Sequence, residues 1–270
     1  MIREKGVTST GMTFPTAEAR QNVRRFATPA NEQNFDRLER VLASRKPLRP
    51  LSSVWPALHI MSARRVVLLS PLLIIAVNLA VAYGFRPSLG GWSFVPMILS
   101  GWGLWVFFVA RYGGRDAIRR WLAPARGSRW WILPALLTGL LPLPIFLFHY
   151  ETLASWTVWV PWLVLALVNP WIEEGYWRGL LLDYARPWPA WIGIAYCSAA
   201  YALNHAAFGV NSEINSGWDV VISTSIMGLI WGWIYHKTGS LRYPIIAHFM
   251  VDCLALSVPA FLDLSEKGTW

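Results

Sequence analysis

Long apolar runs separated by short polar loops fill the chain from residue 66 onward, whereas residues 1–62 are polar and basic. A helix needs about 20 consecutive apolar residues to cross the hydrocarbon core of a bilayer. Seven runs approach or exceed that length, at 66–84, 92–110, 130–148, 156–184, 189–208, 218–236 and 243–262. The pattern predicts an all-α, polytopic membrane helix bundle with about seven transmembrane helices.

Two segments depart from a pattern of straight spans. The fourth run is too long for one straight crossing and contains Pro170, and a proline removes a backbone donor and favours a kink. We therefore expect the residues after Pro170 to form a separate, tilted half-helix. Segment 115–122 is predicted to lie at the membrane interface, because Ile118, Trp121 and Leu122 share a face opposite two arginines.

The chain is predicted to have two parts. Residues 1–62 form a basic, polar tail, and residues 63–265 form the transmembrane helical domain. Within the tail, a short amphipathic helix is predicted from spacing typical of one helical face. The apolar residues of that face are Phe35, Leu38, Val41 and Leu42.

Basic residues cluster on one side of the predicted bundle. The tail and the 111–129 loop are rich in arginine, whereas loops 149–155 and 209–217 contain no lysine or arginine. By the positive-inside rule, this asymmetry predicts a multi-pass protein of the cell membrane with a cytoplasmic N-terminus. The net charge of +9 therefore reflects orientation in a membrane and does not indicate nucleic acid as a partner.

Three charged residues lie within six positions of the fourth run: Glu173, Glu174 and Arg178. A charged side chain at the bilayer centre costs roughly 2.5–3.5 kcal/mol on insertion scales, so such residues are paired, hydrated or functional. Residues four apart on a helix project side by side, so Glu174 is the expected partner of Arg178. Glu173 is rotated by about 100° from Glu174 and is expected to face a cavity.

Two further polar pairs repeat this spacing in later runs. Tyr201 and His205 lie four residues apart in the fifth run, and His248 and Asp252 do so in the seventh. Each pair is expected to present two polar side chains on one helix face. Small residues at Gly175 and Gly179, and again at 228 and 232, favour close helix packing around them.

The three pairs form an ordered set of motifs, EExxxR, YxxxH and HxxxD, each on a predicted membrane helix. This set resembles the CAAX-processing and bacteriocin-processing (CPBP, or Abi) intramembrane endopeptidases, whose motifs are EExxxR, FxxxH and Hxxx[N/D]. The resemblance covers about residues 150–255. It implies an enzyme, similar to a type II CAAX prenyl protease, that hydrolyses a peptide bond within the membrane.

The resemblance also implies a role for each motif residue. Glu173 is expected to act as the general base that activates water, with help from His205. His248 and Asp252 are expected to stabilise the oxyanion of the tetrahedral intermediate. The remaining pair, Glu174 and Arg178, is expected to form a supporting ion pair within the catalytic site. The implied partners are a lipid bilayer and a membrane-associated or lipidated peptide.

Two departures from the family pattern leave the cofactor open. Tyr201 replaces the usual phenylalanine, and Asp252 stands where prenyl-processing members have asparagine. A charged Asp252 would repel an oxyanion, so it must be protonated, orient His248 or bind a metal. Glutamate, histidine and aspartate are ligand types that suit zinc with a free position for water. The site is thus either a metal-free glutamate site or a metalloprotease site with Glu173, His205, His248 and Asp252 as ligands.

Two other classes of protein are compatible with the same residues. Intramembrane acids and histidines form proton relays in transporters, although no paired repeat of broken helices is evident in the two halves of this chain. The second class is a membrane immunity or scaffold protein that keeps the motifs without turnover. Hydrolysis of a labelled membrane peptide distinguishes both classes from a protease.

Overall fold

The structure is a computed structural model that describes residues 51–265, with side chains described from residue 62 onward. The described chain is helical, with short 3₁₀ and π-helical segments between some of the α-helices. The α-helices are α1 Leu51–Leu89, α2 Phe94–Phe108, α3 Gly114–Trp121, α4 Ile132–Leu140, α5 Leu143–His149, α6 Trp156–Glu174, α7 Leu182–Ala185, α8 Ala190–Ala206, α9 Trp218–Thr238, α10 Arg242–Leu254 and α11 Ser257–Phe261. The predicted all-α class is confirmed.

Each of the seven predicted spans contains helix, but their ends differ from the prediction. Helix α1 begins at Leu51, so residues 51–62 of the predicted tail are helical, and the amphipathic helix predicted near residue 38 lies outside the described residues. The third span is divided into α4 and α5. The seventh is divided into α10 and α11 at Leu256, which has a left-handed backbone with φ of 49°.

Two helical stretches, Ser62–Trp121 and Arg129–Ala154, are long and apolar enough to cross a membrane, judged by length and composition alone. Large apolar side chains are also exposed on several helices. Examples are Leu69 and Leu72 on α1, Leu137 on α4 and Leu167 on α6. Large exposed apolar patches are unusual on a soluble monomer and mark sites that contact another protein, a ligand or a membrane.

Pro170 does not divide the fourth span, so the predicted half-helix is wrong. Helix α6 continues through Pro161 and Pro170 and carries both glutamates at its C-terminal end. The helical geometry changes only afterwards, where Gly175–Leu181 is π-helical. A proline removes one N–H donor, and the neighbouring turns keep theirs, so a buried helix can continue through it. Short π-helical segments occur frequently at functional sites.

The π-helical segment Gly175–Leu181 lies at the centre of the core. All seven of its residues are buried. Gly179 provides space for an indole, because a Cβ there would lie 2.9 Å from the Trp121 ring. Trp121 is therefore buried against the core, whereas Ile118 on the same helix, α3, remains exposed as an interfacial residue would be. The predicted packing role of Gly175 is wrong, since a Cβ added there meets no atom within 4 Å.

Helices α8 and α9 pack closely through the second pair of glycines. A Cβ at Gly228 would lie 2.9 Å from Ser198, and one at Gly232 would lie 3.1 Å from Ile194. Helix α8 is also joined to α1, where the Asn78 side-chain amide donates to Asn204 Oδ1 at 2.8 Å. These contacts hold α8, which carries the YxxxH motif, in a defined orientation.

Candidate active site

Three helices and the π-helical segment bring the motif residues together. Helix α6 and the π-helical segment carry the EExxxR motif, α8 carries YxxxH and α10 carries HxxxD. His205 is half-buried. The other six motif residues are at most 7% exposed: Glu173, Glu174, Arg178, Tyr201, His248 and Asp252.

The Glu174–Arg178 ion pair expected from the i, i+4 spacing is present. Arg178 Nη1 donates to Glu174 Oε1 at 2.9 Å, and both side chains are almost fully buried. The guanidinium also lies over two aromatic rings, 4.0 Å from the centroid of Tyr201 and 5.2 Å from that of Trp231. A planar cation between aromatic faces is held in one orientation. These contacts therefore fix the positions of the Arg178 guanidinium and the Glu174 carboxylate in the site.

His248 is bonded to Glu174, the glutamate that also pairs with Arg178. His248 Nδ1 donates to Glu174 Oε1 at 2.9 Å, so one carboxylate oxygen accepts from both the imidazole and Arg178. The second ring nitrogen, Nε2, lies 3.7 Å from Asp252 Oδ2. The ring also lies 5.1 Å from that of Trp231. His248 is thus oriented by a carboxylate on each side.

Glu173 is a buried carboxylate with one oxygen, Oε2, that has no hydrogen-bond partner in the described part of the chain. It nevertheless lies close enough to His248, Asp252, Glu174 and Arg178 to interact with them electrostatically. Buried polar atoms are nearly always hydrogen-bonded, and exceptions in native structures call for an explanation such as a catalytic role.

His205 and His248 both lie beside the Tyr201 ring. Its ring centroid is 4.2 Å from that of Tyr201 and 4.8 Å from that of Phe208, while His248 is 6.4 Å from Tyr201. His205 Nδ1 donates to the Tyr201 carbonyl oxygen at 2.9 Å. Because Nδ1 carries the proton, Nε2 of the neutral ring has a free lone pair that can accept a hydrogen bond.

The four predicted metal ligands are not arranged to bind one metal ion. Within the described residues, no group of three or more His, Cys, Asp or Glu side chains is arranged to hold a metal ion. His248 Nδ1 is bonded to Glu174, and His205 Nδ1 is bonded to a backbone carbonyl. Both Asp252 oxygens accept hydrogen bonds, from Asn169 and Ser257. The residues therefore do not fit a zinc site, and the metalloprotease alternative has no support in their arrangement.

Sequence reasoning missed Asn169, which lies one helical turn before Glu173 on α6. Its side-chain Nδ2 is 3.2 Å from Asp252 Oδ2 and 3.4 Å from His248 Nε2. Its Oδ1 accepts a hydrogen bond from Trp102 Nε1 at 2.8 Å. The i, i+4 relation to Glu173 could have indicated Asn169, because the same spacing was used for the three motif pairs.

The helices that carry the three motifs lie within the part of the chain that matches a known protein family. The family model described as type II CAAX prenyl endopeptidase, Rce1-like, matches residues 154–254. No curated protein and no solved structure matches the chain significantly. The matched region extends from the start of α6 to the end of α10 and includes all three motifs. The resemblance noted from the motifs is therefore confirmed: residues 154–254 are a domain of the Rce1-like type II CAAX prenyl endopeptidase family, a family of proteases.

Proposed function

We propose that this protein is an intramembrane endopeptidase that hydrolyses a peptide bond in a membrane-associated or lipidated peptide. The observation that carries the proposal is the Glu173 carboxylate, which is 2% exposed and has a buried oxygen, Oε2, with no hydrogen-bond partner among the described residues. The family match supports hydrolysis of a peptide bond as the reaction.

Glu173 acts as the general base in this mechanism. It takes a proton from water as the water oxygen attacks the carbonyl carbon of the peptide bond. His205 Nε2, whose lone pair is free because Nδ1 donates to Tyr201, accepts the second hydrogen bond of that water. When the C–N bond of the tetrahedral intermediate breaks, Glu173 returns the proton to the leaving amine. General acid–base catalysis of this kind contributes typically about 10²–10⁴-fold to the rate.

His248 stabilises the oxyanion that forms on the former carbonyl oxygen: with a proton on each ring nitrogen, it donates from Nδ1 to Glu174 and from Nε2 to the oxyanion. Its ring is oriented through Nδ1 by Glu174, which Arg178 in turn holds in place. Asp252 acts on His248 and does not contact the oxyanion, since a carboxylate would repel it. The hydrogen bonds that Asp252 accepts from Ser257 Oγ and Asn169 Nδ2 support this role, because they hold the carboxylate beside the imidazole.

The reaction takes place in a helix bundle of about seven spans with a cytoplasmic N-terminus. The two stretches that are long enough to cross a membrane and the exposed leucines support this arrangement. A site within the bilayer is expected to receive peptides that are anchored in the membrane. Because the matching family is named for prenyl endopeptidases, a prenylated peptide is the first substrate to test.

The test is cleavage of a quenched fluorescent peptide that ends in a farnesylated cysteine and three further residues. Wild-type protein and Glu173→Gln are purified and reconstituted in vesicles. The variant keeps the shape of the side chain but cannot act as a base, so the rate should fall at least about 100-fold. Glu151→Gln, at an exposed position outside the site, is the matched control and should cleave at the wild-type rate. Equal rates for Glu173→Gln and the wild type would exclude the proposed mechanism.

A further inference from the structure

Asn169 is a buried polar residue of the site that belongs to none of the three motifs. It is 7% exposed and lies between α2 and α10. Its amide nitrogen is 3.2 Å from Asp252 Oδ2 and 3.4 Å from His248 Nε2. The residue therefore contacts both members of the HxxxD motif from the helix that carries Glu173.

The orientation of the Asn169 amide follows from its contact with Trp102. An indole N–H can only donate, and Trp102 Nε1 lies 2.8 Å from the amide oxygen. The oxygen must therefore face Trp102, and the NH₂ group must face Asp252 and His248. Trp102 thus keeps two amide N–H donors directed at the catalytic residues.

The two N–H donors of Asn169 are not used equally. The contact with Asp252 Oδ2 at 3.2 Å is at the long end of the normal range for an N–H···O bond, whereas 3.4 Å to His248 Nε2 lies beyond it. The second N–H is thus only weakly engaged in the resting site. It lies beside the imidazole nitrogen that faces the substrate in the proposed mechanism.

Because Asp252 carries a negative charge, a neutral hydrogen-bond donor is needed between its carboxylate and the oxyanion. Asp252 Oδ2 lies 3.7 Å from His248 Nε2, so an oxyanion bound to Nε2 would have this carboxylate as a close neighbour, and like charges repel strongly in a buried site. An amide between them offsets that repulsion, since one N–H binds the carboxylate and the other binds the oxyanion. Preorganised donors of this type are usually worth more than any other single contribution to catalysis.

We propose that Asn169 is a catalytic residue whose side-chain N–H donates to the developing oxyanion while its other N–H neutralises Asp252. The proposal rests on the proposed function, because it assigns a further donor to the same hydrolytic site. Trp102 is a positioning residue, which acts through the orientation of the amide.

The first test is Asn169→Ala in the farnesylated-peptide assay. Loss of one oxyanion donor should lower kcat by roughly 10²–10³-fold, with KM changed by less than threefold because the contact forms mainly in the transition state. Trp102→Phe should lower kcat by a smaller factor, since it frees the amide to turn without removing it. A kcat for Asn169→Ala within threefold of the wild type would overturn the proposal.

A buried asparagine outside the site controls for effects on folding. Asn211→Ala removes the hydrogen bonds of a buried asparagine with Ser93 and Met97, so it should lower the melting temperature of the purified protein while kcat stays unchanged. If Asn169→Ala behaves like Asn211→Ala, with a lower melting temperature and an unchanged kcat, the role of Asn169 is structural.

A charge swap tests the mechanism independently of side-chain size. Asn169→Asp places two carboxylates face to face and should lower kcat further than Asn169→Ala. Adding Asp252→Asn restores one amide and one carboxylate, so the double variant should recover at least about tenfold in kcat. The absence of any recovery would contradict the proposed amide role.

The same assay separates this proposal from the proposed function. Wild-type cleavage that Glu173→Gln abolishes, together with full activity of Asn169→Ala, refutes the role of Asn169 alone. Wild-type cleavage no greater than that of Glu173→Gln refutes the proposed function, and the role of Asn169 is refuted with it.

Discussion

Replacing Arg178 by methionine should strongly destabilise the protein through the charge that it leaves behind. The substitution keeps an unbranched apolar stem beside Tyr201 and Trp231 but removes the guanidinium that bonds to Glu174. Glu174 is fully buried, and its Oε1 would then accept only from His248. Removing one partner of a buried pair costs about 3–5 kcal/mol, and lost cation–π contacts add up to about 2 kcal/mol.

Thermal unfolding in detergent measures this effect. Each 1 kcal/mol shifts the melting temperature by roughly 2–4 °C for a chain of this size, so a total of about 3–7 kcal/mol predicts a fall of roughly 6–28 °C. Arg119→Met is the matched control, because the Arg119–Asp116 pair is exposed and an exposed pair contributes at most about 1 kcal/mol.

A double variant separates the effect of charge from that of packing. Glu174→Gln combined with Arg178→Met removes both charges, and replacing a whole buried ion pair by neutral groups is often neutral or stabilising. The double variant should therefore melt above Arg178→Met alone. The reasoning is refuted if the single variant melts within about 2 °C of the wild type, or if the double variant melts no higher than the single one.

Three further predictions concern packing, the cofactor and His205. Gly179→Ala should lower the melting temperature, since its Cβ would meet the buried Trp121 ring at 2.9 Å, whereas Gly175→Ala has open space and should not; equal effects would contradict this packing. Treatment with EDTA should leave hydrolysis unchanged, and a loss that added zinc reverses would show a metal site. His205→Gln should lower kcat about tenfold or more, whereas the exposed His236→Gln should not; an unchanged kcat for the former would remove His205 from the mechanism.

Features set by spacing along one helix were predictable from the sequence. The apolar runs gave the positions of the helical segments, because run length and periodicity depend only on local residues. The pairing of Glu174 with Arg178 was predictable for the same reason: four residues bring two side chains to one face of a helix, even though part of the connecting segment is π-helical.

Features that depend on how helices face each other were not predictable. Glu173 and Glu174 are rotated by about 100° from each other around the helix axis. This rotation does not determine which of the two binds His248, because that depends on the rotation of α10 relative to α6. The contacts of Asn169 join residues 79 and 83 positions apart in the chain. The metal alternative lacks support for a similar reason: residue types suggest ligands but do not give ring orientation, and His205 Nδ1 donates to a carbonyl in its own helix.

The central claim is that Glu173 activates a water molecule for hydrolysis, and isotope incorporation tests it most directly. Wild-type protein and Glu173→Gln, reconstituted in vesicles, are incubated with the farnesylated peptide in H₂¹⁸O, and the products are weighed by mass spectrometry. The account predicts one ¹⁸O atom in the new C-terminal carboxyl group of the wild-type product and no product above background with Glu173→Gln. Labelled product in equal yield from both proteins would contradict it.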